Sequence, residues 1–362
     1  MKKISNSITK NQYLFLVQGA LIGIGILSFS SSISAKSNKA GWVVVLIGGL
    51  YPLFIAITSH LIYKNLKYPN FYNMCEKLYG KVLAKIFTTI FLLHYIILEA
   101  SLLAGFANVL DSFLLFFIPS YFTIGITLII IVITASNGLR DLGRLTEIFF
   151  YITLAILFIL LFFINEIKSN NIFPIFDGIY PILKAIPGSF DSYIGAEIIF
   201  FSIYWVTDKS KVLKAGIIGS LITIFIYVLT TFITVGCLGW NLASRLEYPL
   251  IFLIGTRDFP VISNFEAIFI FLWSGIIMKT LACEQFVLGY CVSEVINIPY
   301  NKACIVSMIP VFILTIFLTP EFNRRAFLSK TLKYEVLFIV TWSIITLILS
   351  FIKKTGEKYE EN

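Results

Sequence analysis

The chain has 362 residues, 58% of them hydrophobic and only 13% charged, with a mean hydropathy of +0.90. A water-soluble domain is nearer half apolar and a quarter charged, so folding in water would leave this chain with apolar surface it could not hide. The net charge of +8 does not point to nucleic acid, because the basic residues fall in short segments between apolar runs rather than along one face.

Apolar runs near or above the roughly 20 residues that cross a bilayer lie at about 13–35, 41–63, 83–110, 117–136, 146–164, 190–207, 214–239, 263–291, 303–319 and 334–352. They predict an all-α, polytopic membrane protein of about ten transmembrane helices, one permease-like domain over 1–362. Lys2, Lys3 and Lys10 ahead of the first run, with Ser32-Ile33-Ser34 beyond it, have some character of a cleavable signal. The polar start and the long glycine-bearing run fit a retained first helix better.

With the N-terminus inside, 17 of the 28 Lys and Arg residues fall in inside segments and 10 in outside ones, which leaves Lys279 within a span. Both termini are therefore expected in the cytoplasm. Segments 165–189 (Pro174, Pro181, Pro187) and 240–262 (Pro249, Pro260) are expected outside, long enough to form a lid. Segment 69–82 reads as a short amphipathic helix on the inner membrane surface. Cys75, Cys237, Cys283, Cys291 and Cys304 are odd in number and scattered, so free thiols are expected rather than a disulfide framework or a zinc site.

Ten spans divide into repeats of five, about 11–164 and 190–352, and in inverted-repeat transporters the first helix of each half is broken at mid-membrane. Span one carries Gly19-Ala20-Leu21-Ile22-Gly23-Ile24-Gly25, and span six carries Phe190-Asp191-Ser192-Tyr193-Ile194-Gly195-Ala196-Glu197. Each glycine weakens a helix by up to about 1 kcal/mol relative to alanine, so a break near Gly23 to Gly25 is expected, with Ile22, Gly23, Ile24 and Gly25 lining a ligand site. The amides freed at the start of the second half-helix suit a carboxylate. Small residues also permit close helix packing, which accounts for Gly19 and Gly23 but not for Gly25.

Ionisable side chains in a bilayer are expected to face the protein interior. In span three, His94, Ser101, Gly105 and Asn108 share one helical face as a candidate cavity wall, with interhelical hydrogen bonding as the plainer reading of His94. In span six, Phe190, Tyr193, Glu197 and Tyr204 share a face next to Gly195. Three readings of Glu197 stay open: acceptor of a ligand ammonium, proton carrier, or partner of a neighbouring helix. In span eight, Lys279 lies too deep to reach either membrane surface. It is expected either to donate to carbonyls that the break in span one leaves unpaired or to form a buried ion pair.

Gly19 to Leu27 and Phe190 to Glu197 resemble helices one and six of the amino acid/polyamine/organocation permease superfamily, which implies a LeuT-like 5+5 inverted repeat with helices one and six broken. Asn137-Gly138-Leu139-Arg140-Asp141-Leu142-Gly143-Arg144, Pro181-Ile182-Leu183-Lys184, Arg245-Leu246-Glu247-Tyr248-Pro249-Leu250 and Phe265-Glu266-Ala267 through Trp273 to Lys279 together resemble the endospore germination permease family, the membrane B subunits of germinant receptors. Two strings depart from that pattern: Ser28-Phe29-Ser30 where a proline often follows the glycine-rich run, and Gly195-Ala196-Glu197 where many members have Gly directly before Glu. The resemblance implies a receptor in the spore inner membrane that detects a small nutrient such as an amino acid and works with an A-type subunit and a lipoprotein C-type subunit. A secondary amino acid transporter is the alternative. No nucleophile-base pairing, metal-ligand spacing or cofactor fingerprint is visible, so neither an enzyme nor a cofactor is expected.

Overall fold

A computed structural model describes residues 7–174, 178–257 and 264–360, with side chains to Thr355. Helices α1 (Lys10–Leu21) and α2 (Gly25–Ser37) are followed by α3 (Gly41–Gly48), α4 (Leu50–Asn65), α5 (Phe71–Tyr79), α6 (Lys81–Phe113), α7 (Ser120–Ser136) and α8 (Leu139–Leu161). The rest of the chain forms α9 (Ser169–Ile172), α10 (Ile179–Phe190), α11 (Ile198–Ser202), α12 (Val212–Leu238), α13 (Trp240–Ala243), α14 (Pro249–Gly255), α15 (Phe265–Ile296), α16 (Tyr300–Leu318) and α17 (Glu321–Glu360). No strand occurs among the described residues; one isolated bridge ties Ile8 to Val206. Seven helical stretches are long and apolar enough to cross a bilayer, and Ser120–Ser136 is a shorter apolar helix. The protein is an all-helical integral membrane protein.

The first expected span is broken where the glycines place the break. α1 opens on a capping box in which Thr9 and Gln12 satisfy each other's backbone amides, and it ends at Leu21 with Ile22 extended. A break exposes carbonyls that lipid cannot satisfy, so side-chain donors have to meet them. Tyr227 of α12 bridges the gap, donating to the Leu21 carbonyl at 3.0 Å and accepting from the Gly23 amide at 3.4 Å. Thr280 of α15 has one hydroxyl proton, best placed for the Ile22 carbonyl at 2.7 Å, with the Gly19 carbonyl at 3.0 Å within reach. Thr223 stands 3.4 Å from the Gln18 carbonyl. α1 accordingly packs against α12, α8 and α15.

The sixth span is also interrupted. After α10 the chain makes a tight turn at Asp191–Tyr193, extends through Ile194 and restarts as α11. Gly195 has φ +109°, and a Cβ there would stand 2.7 Å from the Ala20 carbonyl. The two unwound segments therefore touch backbone to backbone, which only glycine permits.

Three expected boundaries move. The sixth helix begins at Ile179 rather than about 190: Pro181 falls in the first turn of α10, where no intrahelical amide is needed, and Pro187 is carried inside the helix. Proline had placed that stretch in a loop. α17 begins at Glu321 rather than 334, so Arg324, Arg325, Lys330 and Lys333 stand on a helix, not in a loop. The expected loop 240–262 contains α13 and the buried α14, while 258–263 fall outside the described residues, as do Lys2 and Lys3. Segment 69–82 is helical as expected over Phe71–Tyr79, burying Phe71, Met74 and Cys75 on one face.

Two substitutions test this frame by thermal unfolding of the purified protein. Gly195→Ala is expected to destabilise by about 1–3 kcal/mol for the backbone strain alone, with the contact to Ala20 adding to it; an unchanged melting temperature would count against the backbone contact. Thr280→Val removes the hydroxyl at constant shape and is expected to cost about 1–3 kcal/mol through the unpaired Ile22 carbonyl. Lys279→Met next to it is expected to cost less, since its amine makes no hydrogen bond among the described residues; a larger loss for Lys279→Met than for Thr280→Val would reverse that assignment.

Candidate functional site

A cavity of about 480 Å³ opens beside the two unwound segments. One wall is a face of α2 carrying Gly25, Ser28, Ser32 and Lys36; the turn at Asp191 and Ser192, with Ile194, forms another. Leu98, Ser101 and Leu102 of α6, Tyr227 of α12, Thr280 and Glu284 of α15, and Arg324 to Lys333 of α17 close it.

The glycines of span one divide into two kinds. A Cβ at Gly19 would meet the Lys279 amine at 3.0 Å and Thr146 at 3.3 Å, so Gly19 lets α1 approach its neighbours closely. A Cβ at Gly25 would reach only ordinary contact, 3.6 Å from the Tyr227 hydroxyl and 3.7 Å from Ser192. Gly25 borders open space. No side chain caps the first turn of α2, so the positive end of that helix faces the cavity. A carboxylate fits such an end.

The candidate residues distribute unevenly around this cavity. Gly23, Ile24, Gly25 and Ser101 line it; Ile22, His94, Tyr193, Gly195, Glu197 and Lys279 do not. Ile22 and Gly195 shape its backbone. Tyr193 is fully buried and donates to the Val45 carbonyl at 3.0 Å. Glu197, also fully buried, accepts from the Tyr51 hydroxyl and, at 2.7 Å, from the Gly195 amide. His94 has Nε2 3.9 Å from Glu197 and Nδ1 2.7 Å from Glu335 of α17. Glu197 and His94 thus sit in a network that fixes helix six to α4, α6 and α17. The rest of the expected polar stripe of α6 divides: Ser101 lines the cavity, Asn108 donates to Glu321 at 3.0 Å, and Gly105 lies against Ile24 and Arg324.

Lys279 stands on α15 against Gly19, and its amine has no hydrogen-bond partner among the described residues. The expected task of meeting the span-one carbonyls falls to Thr280, its neighbour. Thr280, Tyr227, Tyr51, Glu335 and Arg324 carry no sequence signal comparable to a charge in mid-span. The signal that reaches two of them is the break itself, which calls for hydroxyl donors on the facing helices.

Charge is paired at the α17 end of the cavity. Arg324 makes a forked bond to Glu321 at 2.6 and 2.7 Å, and Arg325 reaches Glu321 at 2.7 Å and Glu247 at 3.6 Å. Glu284 makes no ion pair among the described residues, and its Oε2 is buried without a partner. No group of three or more His, Cys, Asp or Glu suited to a metal occurs among the described residues.

Comparison with known proteins fits this geometry. The solved structure of MhsT in complex with L-phenylalanine matches with a TM-score of 0.64 at 14% identity, covering 97% of this chain and 89% of that one. The fold is therefore LeuT-like. Spore germination protein YndE of Bacillus subtilis is 25% identical over 98% of this chain and 99% of its own length, and spore germination protein B2 of the same organism is 23% identical over 98% of each. The family model described as spore germination protein, a spore permease, matches residues 7–325. With two broken helices meeting at a cavity in a LeuT-like fold, and with that match over most of its length, the chain belongs to the spore germination protein family of permeases.

Proposed function

We propose that this chain is the membrane subunit of a spore germinant receptor, in which a small nutrient, an amino acid in the first instance, binds near mid-membrane and triggers germination. The observation that carries this reading is the cavity of about 480 Å³ at the junction of the two unwound segments, bordered by Gly25 and the uncapped start of α2. That volume suffices for an amino acid, and the helix end suits its carboxylate. The subunit works in the spore inner membrane with an A-type subunit and a lipoprotein C-type subunit, and it is a sensor without catalytic chemistry of its own.

A second reading, a secondary transporter of amino acids, is favoured by the MhsT-like fold. A shared fold leaves open how the site is used. Flux of labelled amino acids into proteoliposomes, beside germination of a deletion strain, separates the two: the receptor reading expects lost germination without saturable uptake, and uptake with normal germination would reverse it.

Gly25→Val tests the site. The branched side chain fills the space next to Ser192 and Tyr227 and is expected to abolish the germination response at equal protein abundance. A normal dose-response in spores carrying that variant would refute the site; loss of the protein from the membrane would assign Gly25 to packing.

Topology follows from the distribution of basic residues, with both termini cytoplasmic. In a background freed of native cysteines, Lys168→Cys and Arg245→Cys are expected to react with a membrane-impermeant thiol reagent from outside and Lys81→Cys only from inside. The opposite pattern would invert the protein.

A further inference from the structure

We propose that Glu284 forms a cation subsite at the base of the cavity and receives the ammonium group of the nutrient, which narrows the ligand class to amine-bearing small molecules. This rests on the reading that the cavity binds the nutrient.

Glu284 lies one helical turn beyond Thr280 on the same face of α15, and both line the cavity. Thr280 closes onto the Ile22 carbonyl, so Glu284 stands directly beyond the break in helix one. Its side chain is 3% exposed, and Oε2 is buried without a hydrogen bond. A buried carboxylate left without a partner is costly, and membrane proteins otherwise neutralise such groups with fixed partners.

No cation bonds Glu284 among the described residues: of those lining the cavity, Lys36 has its amine against Gly188 and Lys333 has its amine over the Tyr334 ring. Arg324 and Arg325 are held by Glu321. His94 is held by Glu335 at 2.7 Å. Lys279 precedes Glu284 by five residues, which turns it well away around the helix, and it packs on Gly19 of α1. Glu99, fully buried with both oxygens unpartnered, and Glu197 act on Glu284 as like charges, and His94 acts on it as an opposite charge without a bond to it.

Glu197, for which acceptance of a ligand ammonium was one of three open readings, is satisfied by Tyr51 and the Gly195 amide and lies outside the cavity lining. Two acids line the cavity: Asp191, which has the Lys36 ammonium acting on it, and Glu284, which stands beside the break in helix one. An amino acid can then place its carboxylate at the start of α2 and its ammonium at Glu284, meeting opposite charge at both ends.

The test uses the purified full chain in detergent. Each of the standard amino acids is titrated by thermal shift and calorimetry in choline buffer, and every binder is retested as its des-amino carboxylic acid. Removing the amine is expected to weaken binding to the unmodified protein by about 100-fold, the range for breaking a buried charge pair. In Glu284→Gln the amino acid is expected to weaken by a similar factor while the des-amino acid keeps its affinity. Equal binding of the two compounds by the unmodified protein overturns the proposal without needing the variant to fold. So does an undiminished affinity of Glu284→Gln for the amino acid. If sodium or potassium restores tight binding of the des-amino acid, the cation at Glu284 is an alkali ion and the assignment of the ammonium falls. If no amino acid binds at all, the proposal falls together with the reading it rests on.

Discussion

A bilayer core offers no water, so every backbone group released by unwinding a helix has to be satisfied within the protein. That constraint organises the centre of this molecule. Breaking helix one after Leu21 releases carbonyls at three places, and three hydroxyls from two other helices stand against them: Thr223 and Tyr227 from α12 and Thr280 from α15. α12 and α15 therefore have to lie on either side of the break. The Ala20 carbonyl packs closely against Gly195, which ties the position of the second unwound segment to the first. The cavity is the space this arrangement leaves, and its polar walls are continuous with the groups that hold the break open.

The break was legible because its cause is local. Three glycines within seven residues of an apolar run weaken one turn of helix whatever surrounds it, and the chain unwinds at Ile22 to Ile24, one residue ahead of the expected Gly23 to Gly25. The spans were legible because hydropathy over a bilayer's thickness is also a local quantity. The boundaries that shifted are those where a local signal has two meanings. Pro181 marks a loop in most contexts yet is harmless in the first turn of α10. Arg324 reads as a loop cation yet rides on α17, folded back onto Glu321.

Partnerships between distant helices were not legible, and the site depends on them. Lys279 drew attention because a charge in mid-span is conspicuous, while Thr280 beside it supplied the hydrogen bond. A threonine in an apolar helix is ordinary, and only the facing carbonyl gives it a role. In the same way Glu197 and His94 were visible as ionisable groups, but Tyr51 and Glu335, which engage them, stand 146 residues and 241 residues away along the chain. Those partners decide which acid is occupied. Pairing turns Glu197 into a structural group and leaves Glu284 facing the cavity.

That division of labour bears on how a ligand signal could leave the cavity. Ser192 and Ile194 touch the cavity, and three residues further on Glu197 is bonded to α4 through Tyr51 and stands within 3.9 Å of His94, which holds α17 through Glu335. Moving helix six away from this network would strand a buried carboxylate, a loss of about 3–5 kcal/mol when one partner of such a pair is removed. A bound molecule can shift the protein between arrangements only by binding one more tightly than the other. To move helix six, a ligand therefore has to gain at least a comparable amount in the rearranged state, unless the acid finds a new partner there. The hydroxyl bonds across the break in helix one, each between neutral groups, are the weaker restraint. Displacement of α2 against α12 and α15 is then the less costly first response to a ligand, with helix six following only where contacts at Ser192 and Ile194 offset the network at Glu197.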